Sequence, residues 1–337
     1  MADFPRIITR TVDGRVCAYV IARDVYGVLS PSAVFEPVKG DEVDGHAVTP
    51  DLRRAVYTTS NAVVSVTEGA ESWRVPFEPG EGHAFINHAG CVVSADGRDV
   101  WVFRPDDMAG RGTPDHWLVL DAGTGAVRAI AEIGTSGHGA TQLVHPADGR
   151  VLLSVGEGQD GAPLFRGALK GGSLDLAPFP WPDRVLVDLS PDGSRFMTVD
   201  HGCQDVAFHT YPEGEVLLSL EVADFGPEED RYLEFGGGFL TGGTAVVAFV
   251  GETEDGEDWF GFRLVDLAEG VPGPELATAA ADAYDLVPLG DGSWLTADPS
   301  GHPVRWAGRP GPSGAAPDAD EGKVHLVDYL DEDGVGG

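Results

Sequence analysis

Histidine is the residue type in this chain with the widest chemical reach, because it ligates transition metals and exchanges protons near neutral pH. Ten are present. Among them are those of the pairs Gly45-His46, Gly82-His83 and Gly137-His138, and His201, which lies two residues before Cys203. Gathered into one pocket, His46, His83, His138 and His201 could act as acid and base. The first three could also hold a transition metal. No His-x-x-His or His-Glu-x-x-His supports that metal reading, so no cofactor is expected. Oxygen ligands offer a second route to a divalent ion: Asp255 and Asp258 close the acidic run Glu252–Asp258, and Glu228-Glu229-Asp230 is a smaller run. Neither has the spacing of an EF-hand loop, and in so acidic a chain a solvated loop is the simpler expectation. Phe179 and Trp181, between prolines, and Trp259-Phe260, after the acidic run, have the chemistry of interface anchors. Gly156–Gly161 matches the G-x-G-x-x-G spacing, but strand-forming residues follow it, so a phosphate would find no helix N-terminus there.

The elements that must position these residues repeat. Turn motifs recur at Asp13-Gly14, Pro50-Asp51, Asp96-Gly97, Asp148-Gly149, Asp192-Gly193, Gly242-Gly243 and Asp291-Gly292. Measured from residues 13, 51, 96, 148, 192, 242 and 291, the steps are 38, 45, 52, 44, 50 and 49, a mean of about 46. Asp-Gly favours the positive φ of a tight hairpin. Apolar runs such as Val151–Val155 and Ala245–Val250 flank the turns and read as strands. Four strands per unit is the blade of a β-propeller, and seven units fill the chain. The spacing therefore predicts an all-β fold, a seven-bladed propeller of four-stranded antiparallel blades, with six or eight blades as the alternative. A helical pattern occurs only around Leu276–Tyr284.

The third unit carries Gly82-His83, Asp96-Gly97-Arg98, Val100–Phe103, Leu118–Asp121 and Thr124-Gly125. This resembles the WD40-repeat pattern of a Gly-His opening, a Ser-Pro-Asp-Gly turn and a closing Trp-Asp. The Trp-Asp pair is absent from every unit, and Asp121 follows Leu120. The resemblance implies a divergent, bacterial, WD40-like propeller spanning one domain, 1–337. It also implies that the Gly-His histidines bond within their blades. Phe4–Thr9 reads as the innermost strand of the first blade and Val324–Tyr329 as the outermost of the last. Residues 308–321 read as a flexible Gly/Pro/acidic excursion between strands of that last blade, and the ring closes by packing without strand exchange. Short turns fall on one face. Long loops, which carry the histidines and aromatics, fall on the other, where function is expected.

Composition narrows the partners. Fifty-five acidic residues face 22 basic ones, a net charge of −33. Such a surface repels phosphate backbones and anionic membranes. Gly (47) and Pro (24) are too frequent for a helical bundle. Cys17, Cys91 and Cys203 are odd in number and widely spaced, which fits a reducing cytoplasm. No basic-then-apolar leader opens the chain and no apolar run would span a bilayer. The expected protein is a cytoplasmic monomer that binds a protein or peptide on its loop-rich face without catalysis. The alternative is a lyase, cyclase or hydrolase that takes a small molecule at the channel mouth, using those histidines.

Overall fold

A computed structural model describes residues 6–22, 24–81, 88–181, 183–226, 231–253 and 255–307. Contacts divide the chain into Met1–Trp306, which holds the blades, and Ala307–Gly337, of which only Ala307 is described. Residues 308–321 and Val324–Tyr329 lie outside the described residues, as does His83.

In chain order, β1 (Arg6–Val12), β2 (Arg15–Ile21), β3 (Gly27–Val28) and β4 (Ala33–Phe35) come first. The second blade is β5 (His46–Val48), β6 (Arg54–Thr59), β7 (Ala62–Thr67) and β8 (Ala70–Pro76). The third is β9 (Gly90–Val93), β10 (Asp99–Arg104), β11 (His116–Asp121) and β12 (Val127–Glu132). The fourth is β13 (Gly139–Val144), β14 (Val151–Gly156), β15 (Leu164–Lys170) and β16 (Ser173–Pro178). The fifth is β17 (Arg184–Leu189), β18 (Arg195–Asp200), β19 (Asp205–Thr210) and β20 (Val216–Glu221). The sixth is β21 (Arg231–Phe239), β22 (Thr244–Glu252), β23 (Asp258–Asp266) and β24 (Val271–Glu275). The seventh begins with β25 (Val287–Pro288), β26 (Ser293–Ala297) and β27 (Pro303–Ala307). All seven sheets are antiparallel, and the fold is the expected seven-bladed β-propeller.

Blades stack through side chains on both faces of their middle strands, which is why β6, β10, β14 and β18 are buried along nearly their whole length. Met197, Phe208, Val247 and Phe249 join the fifth and sixth blades, and Val56, Val63, Val100 and Leu118 join the second and third. Each such buried side chain contributes about 1.5–3 kcal/mol.

The turn chemistry repeats as the sequence suggests. Ser190 Oγ donates to Asp192 Oδ1 at 2.8 Å, and the Ser194 N–H to the same oxygen at 2.9 Å. Those hydrogen bonds pull the Asp192 carboxyl down to about 2. Ser94/Asp96 and Thr49/Asp51 reproduce the contact at 2.7 and 2.6 Å. In the fourth blade His145 takes the serine's place, and its Nε2 lies 2.7 Å from the Gly193 carbonyl of the next blade's turn.

Three expectations are corrected. Residues 276–286 form no helix; Ala281 N–H donates to Asp285 Oδ2 at 3.0 Å and Tyr284 N–H to Asp282 Oδ1 at 2.8 Å, so side chains take the donors a helix would use. Closure involves strand exchange. β3, which leaves the first blade between β2 and β4, pairs with β27 as the outermost strand of the seventh sheet. Arg305 anchors it by donating to the Ala22 and Val25 carbonyls. That leaves three described strands, β1-β2-β4, in the first sheet.

The first turn is also out of phase. Val12 lies beside Gly301 of the β26–β27 turn, and Arg10 reaches Asp285 at 3.8 Å, both on the loop-rich face. At the other end Arg6 donates to the Pro288 and Leu289 carbonyls, where β25 enters its turn. β1 therefore runs in the direction of the second strands β6 and β26, opposite to the inner strands β5 and β25. Asp13-Gly14 is a turn of the loop-rich face, unlike the other six.

Candidate binding face

Two buried carboxylates shape the third-blade sector of the loop-rich face. Asp106 is fully buried and meets Arg104 Nε at 2.7 Å, Arg111 Nη1 at 3.3 Å and His116 Nδ1 at 2.6 Å. Arg111 also donates to the Ser60 carbonyl at 3.0 Å and the Glu78 carbonyl at 2.6 Å, and both guanidiniums lie over Phe77. Asp115 accepts from Gly137 N–H at 2.6 Å and Thr135 Oγ1 at 2.8 Å, while burial pushes its carboxyl above the usual range. Both networks direct their polar atoms inward. They hold the 104–115 and 133–137 segments in shape; the Asp106 partners lie 2, 5 and 10 residues away along the chain, those of Asp115 20 and 22.

Among the described residues, His46, His138 and His201 each face a different neighbour. His46 opens β5, with Nδ1 3.0 Å from Thr9 Oγ1, and burial lowers its pKa. His138 precedes β13; its N–H donates to Gly156 at 2.8 Å, its carbonyl accepts from His88 N–H at 2.8 Å, and its ring lies beside Gly158. His201 sits in the β18–β19 turn, its N–H 2.9 Å from the Asp183 carbonyl. The Gly-His pairs are not equivalent positions either: His46 stands three residues before Thr49, and His138 seven before His145, the matching turn residue. Among the described residues no three His, Cys, Asp or Glu side chains gather as a metal-ion cage. Asp255 and Asp258 lie exposed in and beside the β22–β23 connection, where Thr253 N–H bonds the Glu257 carbonyl at 2.8 Å. Cys203 carries a thiol pushed up to about 11, first by burial and then by Glu234 and Asp200, which disfavours the thiolate a metal needs.

Two of the four aromatic candidates are interior. Phe179 and Trp181 stack at 5.4 Å and pack on Phe196 between the fourth and fifth blades, with Trp181 also over His209. Trp259 packs against the fifth–sixth blade cluster. Phe260 alone is exposed, and it has company the sequence did not single out. Register places Tyr232, Val250 and Phe260 in one row across β21, β22 and β23. Tyr284, on the crossing to the seventh blade, bonds Glu234 of β21; burial and that bond together raise its phenol pKa. Tyr232, Phe260 and Tyr284 are 50%, 39% and 59% exposed. The alternation of β21 and β23 was the signal available: Tyr232 and Phe260 fall on the outward side of strands whose next residues, Leu233 and Gly261, face elsewhere.

Nearer the channel, Asp188 of β17 accepts the Phe239 N–H at 2.8 Å. Burial raises its carboxyl to about 6, opposed by that bond and by Arg6.

No family model and no curated protein matches the chain. Solved structures do. BamB from Moraxella catarrhalis aligns over 90% of this chain and 81% of its own, at 14% identity and a TM-score of 0.51. Kuenenia stuttgartiensis hydrazine synthase aligns over 77% and 76%, at 13% identity and 0.50. The dihydro-heme d1 dehydrogenase NirN, solved with DHE, aligns over 90% and 63%, at 14% and 0.51. At such identities the likeness establishes the propeller scaffold. Two of these three carry enzyme names, so the scaffold alone does not divide binding from catalysis.

Proposed function

We propose that this protein is a non-catalytic platform, a divergent bacterial WD40-like propeller that holds a protein or peptide partner on its loop-rich face. The observation that carries the reading is the exposed row of Tyr232 and Phe260 with Tyr284 beside it, set on the rigid sixth blade. Large aromatic side chains on a stiff frame supply contact area with little entropy to lose, which is the usual composition of a binding hot spot. Against catalysis stands the dispersal of His46, His138 and His201 among three different neighbours. The platform works as a monomer in the cytoplasm, in keeping with three free cysteines, and its net charge of −33 keeps nucleic acid away.

The test is a comparison of the native chain with a Tyr232→Ser, Phe260→Ser, Tyr284→Ser variant. Partners held by the native protein at moderate salt should be lost, while the melting temperature changes by no more than the few degrees expected of exposed positions. Unchanged partner affinity in a folded triple variant would exclude this patch.

A further inference from the structure

Among the described residues, the first blade leaves the β1 edge of its sheet, on the channel side, without a strand neighbour. β1 and β2 meet in a two-residue hairpin, with Asp13 at φ 49° and Gly14 at φ 72°, and Val12 opposite Arg15. Bonded pairs alternate outward from such a turn, so Arg10, Ile8 and Arg6 bond to β2. The intervening residues Ile7, Thr9 and Thr11 turn their N–H and C=O groups the other way. β2 agrees: Ala18, opposite Thr9, gives its carbonyl to Ser32 N–H at 2.7 Å on the β4 side. Among the described residues β1 has one strand neighbour. It runs in the direction of β6, β10, β14 and β18, each of which has an inner strand beside it and a nearly fully buried core; β1 is only partly buried over most of its length. Charge marks the same edge. Arg10 Nη2 is buried with no hydrogen-bond partner, 3.8 Å from Asp285 Oδ1.

We propose that this edge is a docking site for an extended segment of a partner protein, which adds as the inner strand of the first blade, antiparallel to β1, and sets a carboxylate side chain against Arg10. The backbone groups of Ile7, Thr9 and Thr11 supply affinity, as in strand addition to any sheet edge. Arg10 supplies selectivity, because a buried guanidinium donor lacking an acceptor favours an anionic side chain over a neutral one. Asp285 pairs with Arg10 at 3.8 Å without accepting a hydrogen bond from Nη2, and a carboxylate on the added strand would supply that acceptor. The inference deepens the platform reading, on which it rests, by adding a second point of attachment. It fails separately, since a partner could use the aromatic row and leave these amides unchanged.

Hydrogen exchange of the full chain, read residue by residue by NMR, tests it. The probe is the peptide acetyl-Val-Ser-Val-Glu-Val-Ser-Val-amide, with a Gln-for-Glu peptide as control. In the free chain the amides of Ile7, Thr9 and Thr11 should exchange quickly while those of Ile8, Arg10 and Val12 are slow. Adding the probe should slow the first three at least about tenfold. The control peptide, and Arg10→Gln with the original probe, should each bind about tenfold more weakly. The proposal is overturned if the three amides are already protected in the free chain. Concentration-independent protection would mean the edge is occupied within the chain, and concentration-dependent protection would mean a second copy. Millimolar probe without effect on these amides overturns it as well.

Discussion

His209 is fully buried in the fifth blade, its Nε2 2.8 Å from Thr198 Oγ1, and burial followed by Arg184 lowers its pKa to about 4. Unfolded, it titrates near 6.5, so below that pH the unfolded chain binds the extra proton and stability falls, by about 3 kcal/mol once pH has dropped through the folded value. Asp188 acts with the opposite sign. Its folded pKa, about 6, lies above the unfolded value near 4, so the native chain holds the extra proton between them and gains stability as pH falls. The two offset one another in the native protein. Asp188→Asn keeps an acceptor for the Phe239 N–H and removes the second titration. Its urea-unfolding free energy should therefore fall more steeply between pH 6 and 4 than the native chain's, by up to about 1.4 kcal/mol per pH unit; parallel curves would refute the assignment. Asp106 yields a larger single effect. Asp106→Ala leaves Arg104, Arg111 and His116 around a missing carboxylate and should cost about 3–5 kcal/mol in unfolding free energy. The Asp188 partnership was not legible in the sequence, because Phe239 and Arg6 reach it from other blades; the Asp106 partners lie within ten residues of it, but it is the pairing of β10 with β11 that brings Arg104 and His116 to one carboxylate. The Gly-His pairs look alike in sequence, but His46 and His138 stand at different distances from the next turn and face different neighbours.

Elements were far more legible, because a blade is a local object. Each hairpin needs an Asp-Gly or equivalent turn, each turn marks two strands, and seven such marks predicted seven sheets. What local marks do not encode is phase. The 38-residue first step is the shortest of the six, and it is short because Asp13-Gly14 joins β1 to β2 on the loop-rich face while Asp51 lies in an inner turn of the opposite face. The two residues of β3 gave no strand signal at all, since two positions show no alternation. They still complete the seventh sheet, and Arg305 is the side chain that holds them: it bonds Ala22, Val25, Asp291 at 2.6 Å and Ser293 Oγ at 3.0 Å, and lies 4.9 Å from the Tyr26 ring centre. Arg305→Met keeps the stem and removes the donors. Hydrogen exchange should then accelerate at Leu29, whose N–H bonds the Pro303 carbonyl at 2.8 Å, and the melting temperature should drop by several degrees, as loss of about 2 kcal/mol implies. Unaltered exchange at Leu29 would show that β3 is held by other means. At the inner turns, Gly193→Ala should cost about 1–3 kcal/mol, since φ there is 72° and the added methyl would sit 2.5 Å from His145 Nε2.

For the molecule as a whole the governing quantity is charge. Fifty-five acidic residues against 22 basic ones give −33, and Arg74, Arg104, Arg111, Arg128, Arg184 and Arg305 each pair with a carboxylate within 4 Å. The remaining carboxylates repel one another more when folded than when spread along an unfolded chain, so the compact state carries the cost. Screening length falls from about 30 Å at 0.01 M salt to about 8 Å at 0.15 M, from the span of several blades to less than one. The melting temperature should accordingly rise by several degrees between those salt concentrations, and a melting temperature flat or falling with salt would mean the pairs dominate over the repulsion. The ion used separates general screening from a specific site. Sodium and calcium chloride at matched ionic strength should give nearly the same rise if the acidic run Glu252–Asp258 is only a solvated connection. A further, saturating rise with calcium that disappears in Asp255→Asn, Asp258→Asn would instead assign that run a bound ion. The exposed positions of both aspartates and the absence of a metal-binding cluster among the described residues favour equal curves.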